Sequence, residues 1–300
     1  MGWTKRQGIM LCQPLDERNL ARNWNTSHIL LAQPKLDGMR CWVGWENGEP
    51  ILWSSEGHII QGVPHINYLL KQMWEKEKGA VPNYDGELYV HGWTFEDIIS
   101  VCKRGGDNLH EKFVEMEFHI FDYKSREPQL ERTNALQRWY DGLAEDVKLN
   151  IKLVPTFAVT KDNLDNFLSL FVAQGYEGIV VRNPAAPYVE KRPWTILKWK
   201  PSKHDKYEIV RVDEAISSVG VPLGRVGSLV CQDRFGNVFS VGPGLGITLS
   251  DAADLWLHRE ELVGKYAQVY YQNLTERGVP RFGKFSLIVG ISETGESHEF

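Results

Sequence analysis

What the chain lacks narrows its identity first. Its four cysteines, Cys12, Cys41, Cys102 and Cys231, lie far apart and form no Cys-x-x-Cys pair. Disulfide frameworks and zinc ribbons need paired spacing, so neither fits, whereas a reducing intracellular compartment does. No apolar run approaches membrane-spanning length, and the first residues show no charged-then-apolar secretory pattern. A cytoplasmic protein with no membrane partner is the expectation. Internal repeats and low-complexity tracts are also missing, which excludes solenoids and fibrous arrays. Nor is there a surplus of positive charge, since 34 Lys and Arg face 39 Asp and Glu for a net charge of −5. Coating a polyanion by bulk attraction is therefore excluded. A basic surface balanced by an acidic one elsewhere is not.

What is there reads as an α+β protein in two parts. Hydrophobic residues make up 42% and charged residues 24%, as in ordinary globular proteins. A chain of 300 residues exceeds most single cores. The first thirty residues read as a lead-in. Met39–Trp45 and Ile51–Ser54 then flank Asn47-Gly48, a strong hairpin signal. Pro64 opens a helix with Ile66, Leu69, Leu70 and Met73 on one face and Gly79 as its stop. Glu87–Val90 reads as a short strand. Thr94 and Asp97 read as a cap for a helix over Phe95–Lys103. Val114–Asp122 suits a buried strand, and Asp162–Ala173 a helix stopped at Gly175. After Pro201 come five short strands, at Tyr207–Asp213, Arg225–Gln232, Val238–Val241, Tyr266–Tyr271 and Arg281–Val289, with one helix at Ser250–Arg259. That order suits a Greek-key barrel of the OB type. Proline and charges at Pro201–Asp205 set the boundary, giving domains 1–201 and 202–300.

The stretch that organises the rest is Pro34-Lys35-Leu36-Asp37-Gly38-Met39-Arg40. It reads as a strand end, a tight turn at Asp37-Gly38 with glycine tolerating left-handed backbone, and a second strand. A lysine, an acid and an arginine would then share one rim of a sheet. A solvated turn could carry the same residues, Asp85-Gly86 alone is just a turn, and Glu87 alone could be a solvated acid at a strand end. Order decides between these readings. Downstream come Asp85-Gly86-Glu87, Phe121-Asp122, Glu177-Gly178-Ile179-Val180-Val181-Arg182 and Leu197-Lys198-Trp199-Lys200. Lys198 and Lys200 alternate along a strand, so they share a face with Trp199 opposite. Two ammonium groups on one face call for an anion between them. Glu177, just before a run of branched apolar residues, suits a hard cation such as Mg²⁺ at a sheet rim.

That ordered set resembles the covalent nucleotidyltransferases, and most closely the small ATP-dependent DNA ligases of bacteriophages and large algal viruses. The resemblance spans nearly the whole chain. It implies a nucleotidyltransferase (adenylation) domain followed by an OB-fold domain. It also implies ATP and Mg²⁺ as cofactors, nicked double-stranded DNA as partner, and a bacterial or phage-infected host cell as setting. A monomer holding DNA between its two domains, without a separate DNA-binding domain, is the implied arrangement. Barrel loops such as Gly242-Pro243-Gly244-Leu245-Gly246 would touch the DNA backbone.

By the same resemblance Lys35 is the nucleophile that takes AMP from ATP. A free lysine, with a pKa of about 10.4, is protonated at neutral pH, so neighbouring cations would help supply the neutral amine. Arg40 and Glu87 would grip the ribose hydroxyls, Phe121 would stack on adenine, and Gln33 would read its exocyclic amine. The alternating pattern around Phe121, taken alone, favours a core ring instead. Lys198 and Lys200 would flank the α-phosphate, and Glu177, with Glu87, would hold metal. Two departures stand out. Ser54-Ser55-Glu56-Gly57 lacks the arginine that follows serine in the family and holds the nick 5′-phosphate. No Arg-x-Asp-Lys element follows Arg281–Gly290, where only Arg281 and Lys284 offer cations. An RNA ligase, an mRNA-capping guanylyltransferase and a catalytically silent nick-binding protein are the rival readings.

Overall fold

The computed structural model describes residues 8–201, 203–244, 247–271, 274–275, 277–281, 283–291 and 297–299. Ser202, Leu245, Gly246 and Phe282, within stretches singled out above, lie outside the described residues. The chain divides into two compact units, Met1–Lys200 and Pro201–Phe300. In chain order the first unit comprises β1 (Gln13–Pro14), α1 (Glu17–Thr26), β2 (Leu30–Lys35), β3 (Met39–Glu46), β4 (Glu49–Ser54) and α2 (Pro64–Lys76). It continues with β5 (Tyr84–Tyr89), α3 (Phe95–Cys102), β6 (Glu117–Tyr123), α4 (Gln129–Asp141), β7 (Ile151–Leu153) and β8 (Phe157–Val159). α5 (Leu164–Ala173), β9 (Gly178–Arg182) and β10 (Ile196–Trp199) complete it.

These strands form two sheets, ordered β1-β10-β9-β2-β8 and β4-β3-β5-β6-β7. The β3–β4 hairpin turns on Asn47 (φ 52°) and Gly48 (φ 80°), the two left-handed residues that such a two-residue turn demands. Ile66, Leu70 and Met73 of α2 and Ile98 and Val101 of α3 are buried in one core with Val43, Leu52, Leu88 and Phe118 of the second sheet. Leu164, Leu168 and Phe171 of α5 join Leu30, Ala32, Ile179 and Val181 of the first. Burying each large aliphatic side chain stabilises the fold by about 1.5–3 kcal/mol.

Several expectations shift. The lead-in holds β1 and α1, with Asp16 capping α1 by accepting from the Asn19 N–H at 2.6 Å. The Asp85-Gly86 pair lies inside β5 rather than in a turn. A 3₁₀ turn at Phe113–Glu115 precedes β6, so that strand begins later than expected. α4 had no counterpart in the sequence reading. Its buried residues are Gln129, Arg132 and Leu136, and α1 buries Asn23 and Trp24. Helices that bury polar side chains leave little apolar periodicity to detect.

The second unit is a barrel of β11 (Lys203–Ile216), β12 (Pro222–Gln232), β13 (Val238–Pro243), β14 (Tyr266–Tyr271) and β15 (Lys284–Ile291). The order β13-β12-β11-β14-β15 closes where β15 pairs in parallel with β13. Register shifts between β11 and β12 at Ile209/Arg211 and Asp213/Glu214 curve the sheet toward closure. Two helices, α6 (Leu249–Leu257) and α7 (Arg259–Leu262), stand where one was expected, and β16 (Ser297–Glu299) extends the edge of β15. Ile209, Leu229, Cys231, Val241, Val269 and Phe285 fill the interior. Among the described residues no helix is long and apolar enough to cross a membrane.

Candidate active site

Lys35 ends β2, and residues 36–38 carry the chain from the first sheet into β3 of the second. The turn therefore joins two sheets instead of lying at the rim of one. Gly38 is not among the residues with positive φ. Space is what demands glycine: a Cβ there would collide with the Leu88 carbonyl oxygen and the Glu87 side chain on β5. β2 pairs with β9 over Leu31–Lys35 but with β8 only over Leu30–Ala32. Beyond Ala32 one side of β2 is open, which accommodates Pro34 and leaves Lys35 partly exposed.

Glu177 stands just before β9, its N–H donating to the Lys35 carbonyl at 3.0 Å. Its carboxylate, 5% exposed, pairs with both Lys35 and Lys200. Gly178 has no room for a Cβ beneath the Trp199 carbonyl, so β9 and β10 approach closely there. Arg40 on β3 lies directly across from Glu87 on β5. Its guanidinium nonetheless reaches Asp85, donating from Nε and Nη2 at 2.7 Å each. Lys35, Arg40, Glu87, Glu177, Lys198 and Lys200 all line one cavity of about 830 Å³. Trp199 packs instead toward the core of the first sheet, as the alternation predicts.

Gln33 and Phe121 do not line that cavity. The Gln33 amide, 3% exposed, donates to the Phe121 carbonyl at 3.1 Å and to Thr156 Oγ1 at 2.9 Å, and accepts from Arg182 Nε at 2.8 Å. Its hydrogen-bonding groups are spent inside the protein. Phe121 is partly buried, with Arg40 Cζ 4.6 Å and Arg182 Cζ 5.3 Å from its ring centroid. It is thus a cation–π partner rather than a plain core ring.

Burial raises the Glu87 carboxyl to about 7, against the lowering influence of Arg40 and Lys35. Burial also pushes the Cys102 thiol up to about 12 and raises Cys41. Although Cys102 borders the cavity, it supplies no thiolate at neutral pH. The site combines the Lys35 amine with the carboxylates of Glu87 and Glu177 and with further cations, among them Arg40, Lys198 and Lys200. Such a set can hold a polyphosphate and offer an amine to one of its phosphorus atoms.

The description "ATP dependent DNA ligase domain" matches residues 9–200, and "DNA ligase OB-like domain" matches residues 219–288. The chain belongs to the ATP-dependent DNA ligases. A DNA ligase of Haemophilus influenzae is 28% identical over 255 residues, covering 84% of this chain and 83% of that one. A DNA ligase of African swine fever virus is 28% identical over 269 residues. That match takes in 83% of this chain but only 61% of the viral protein. A solved structure entitled "DNA binding with a minimal scaffold: Structure-function analysis of Lig E DNA ligases" shares the fold at a TM-score of 0.71 and 20% identity, covering 94% of this chain and 98% of that one.

For this ligase, sequence reasoning missed the groups behind the cavity. Asp122 accepts from Arg132 Nε and from Arg182 Nη1, both at 2.8 Å, and Gln129 Oε1 accepts from Arg132 Nη2 at 2.6 Å. Arg182 closed the quoted Glu-Gly-Ile-Val-Val-Arg run, which was its one signal; Arg132 and Gln129 had none. Of the two departures, Ser54 spends its hydroxyl accepting from the Glu56 and His58 N–H groups, while Ser55 borders the cavity together with Arg104. Lys284 begins β15 opposite Tyr270.

Proposed function

We propose that this ligase seals 5′-phosphate/3′-hydroxyl nicks in duplex DNA through an AMP carried on Lys35. The observation that supports this reading is the meeting of Lys35 with Glu177, Arg40, Lys198 and Lys200 around one cavity. Lys35 Nζ forms a bond to the α-phosphorus of ATP as the bond to pyrophosphate breaks. AMP then passes to the nick 5′-phosphate, and the 3′-hydroxyl displaces AMP as the phosphodiester forms. Lys198 and Lys200 offset phosphate charge through these steps. Glu87 and Arg40 hold the ribose. Roles for Phe121 on adenine and for Gln33 at its exocyclic amine rest on the family resemblance alone, since neither side chain lines the cavity.

The residues present fit a divalent ion. The Glu177 carboxylate is 5% exposed and its partners are the cations Lys35 and Lys200, so a hard cation can take a place beside it. Among the described residues no group of three potential ligands gathers. A Mg²⁺ ion held by Glu177, with Glu87 as a second carboxylate, would take its remaining ligands from phosphate and water, as Mg²⁺ usually does. Its contribution would be to neutralise phosphate charge.

In this reading residues 1–201 carry adenylation and residues 202–300 the OB-fold contribution, and a single chain serves one nick. The test is sealing of a labelled nicked duplex with ATP or GTP, in parallel with nicks whose strands are RNA. ATP-dependent joining of the DNA nick is expected. Joining confined to RNA, or labelling by GTP, would favour the RNA ligase or capping reading.

A further inference from the structure

Arg40 belongs to a closed circuit that reaches well beyond the sheet it sits on. Asp85, 0% exposed, takes both prongs of its guanidinium. Tyr188, 8% exposed and a hundred residues on, donates its hydroxyl proton to Asp85 Oδ2 at 2.6 Å. The same hydroxyl oxygen accepts from the Met10 N–H at 3.0 Å, and the Met10 carbonyl accepts from Arg40 Nη2 at 3.1 Å. The loop of contacts thus runs Arg40, Asp85, Tyr188, Met10 and back to Arg40. It engages Nε and Nη2 of the guanidinium, and among the described residues no hydrogen bond is made by Nη1. Arg40 meanwhile borders the nucleotide cavity, as do Ile9 and Leu11 on either side of Met10.

We infer that Tyr188 is a positioning residue for ATP, fixing the plane of the Arg40 guanidinium through Asp85 and so presenting Nη1 to the nucleotide ribose. A guanidinium fork held on one side by a buried carboxylate keeps its remaining donors in a fixed direction. Unassisted, a carboxylate can rotate and carry the arginine with it. The Tyr188 hydroxyl occupies one lone pair of Asp85 Oδ2, and its own position is set by the Met10 amide. The hydroxyl is well suited to this task. Burial, and then Asp85, raise its pKa, so it remains a donor across the working range. The inference rests on the proposed role of Arg40 at the ribose.

The experiment is single-turnover self-adenylation against ATP concentration, with ATP and with 3′-deoxy-ATP, for the parent, Arg40→Ala, Tyr188→Phe and the double variant. Tyr188→Phe keeps the ring and removes only the hydroxyl. The expected result is a rise of about ten-fold in the ATP concentration for half-maximal rate, with the maximal rate within about two-fold of the parent. Discrimination between ATP and 3′-deoxy-ATP should narrow, and the double variant should lose little beyond Arg40→Ala alone. The urea unfolding midpoint of Tyr188→Phe should stay close to that of the parent, which separates positioning from support of the fold. If Arg40→Ala is impaired but Tyr188→Phe matches the parent, or if the two losses add in full, Tyr188 does not act through Arg40. A drop in maximal rate with no rise in the ATP concentration for half-maximal rate, together with a lowered unfolding midpoint, would make the hydroxyl a general prop of the fold and overturn the inference. If Arg40→Ala itself leaves adenylation unchanged, the reading of Arg40 fails and takes the inference with it.

Discussion

Asp85, Asp122 and Arg132 sit at 0% exposure in the first unit and Arg182 at 4%, whereas no charged side chain is buried among the described residues of the barrel. The barrel interior is Ile209, Leu229, Val241, Val269, Phe285 and their neighbours. Both units thus have apolar cores, but among the described residues only the first adds ions to its interior. Buried ion pairs are a poor source of stability, since desolvation offsets most of their attraction. Their placement suggests another purpose. Asp122 holds Arg182, which holds Gln33 and lies against Phe121. Asp85 holds Arg40, which lies against the same ring. On the proposed reading of the cavity, the first unit accepts the cost of buried charge where a nucleotide would be oriented, a demand that the reading does not place on the barrel.

The sharpest way to break this contrast is to disturb each interior by a small change. Asp122→Asn preserves volume but leaves Arg132 and Arg182 undercompensated, and should destabilise the first unit by roughly 3–5 kcal/mol. Ile209→Val, which removes a methyl group from the barrel core, should cost roughly 0.5–1.5 kcal/mol. Urea unfolding of the two variants, followed by hydrogen exchange in each unit, measures both. Equal costs would mean that the ion network is no more demanding than apolar packing.

A second comparison concerns charge that faces the cavity. Glu177→Ala leaves Lys35 and Lys200 without their shared carboxylate. It should raise the Mg²⁺ needed for turnover by about an order of magnitude and slow every step. A Mg²⁺ titration that overlays the parent would make Glu177 structural. Asp233 in the barrel, whose carboxylate is spent on the turn around Asn237, serves as the control and should leave the titration in place when changed to Asn.

The units should also differ in their response to pH, because Glu87 adds a carboxyl raised by burial to the first. Carboxyls lowered by hydrogen bonds occur in both, as at Asp97 in the first. Burial holds the Glu87 carboxyl at about 7 against an ordinary value of 4.5. The folded state therefore keeps a proton that the unfolded chain has released. Stability from this group is full below about 4.5 and is lost as pH rises through about 7. In the barrel, hydrogen bonds lower the carboxyls of Asp213 (from Arg211), Asp233 (from Asn237) and Asp251 (from Thr248). Their contribution is present above the ordinary carboxylate range and is lost on acidification. Thermal unfolding of Glu87→Gln across pH 5 to 8 should show a smaller decline than the parent. Parallel curves would remove Glu87 from this account.

What the sequence made legible was whatever short-range signals carried. Asn47-Gly48, Pro64 and the capping pair Thr94–Asp97 appear where they were expected, because each acts within a few residues. The lysines and acids around the cavity were legible as an ordered set. The supports behind them were not. Asp85 looked like a turn residue, Arg132 was a charge in an unrecognised helix, and Tyr188 meets its partner across 103 residues. Glycine at position 38 was expected for the wrong reason, since crowding by β5 is invisible without the fold.

The smallest expected effect lies at the cavity edge. Without an arginine at Ser55, nick affinity should lean on backbone contacts, and ligation should fall steeply with salt through counterion release. Ser55→Arg adds one charge-assisted contact worth about 1.5–3 kcal/mol at best. It should improve nick sealing by adenylated protein more than self-adenylation. Equal single-turnover sealing across a salt series would mean that another residue already grips the phosphate.

The central claim is that the amine of Lys35 carries AMP. Intact-mass spectrometry of the parent and of Lys35→Ala, each with and without ATP and Mg²⁺, tests it directly. The parent should gain the mass of one AMP and lose it on adding nicked duplex, and the variant, folded as judged by its unfolding curve, should gain nothing. A Lys35→Ala protein that still acquires one AMP would contradict the account.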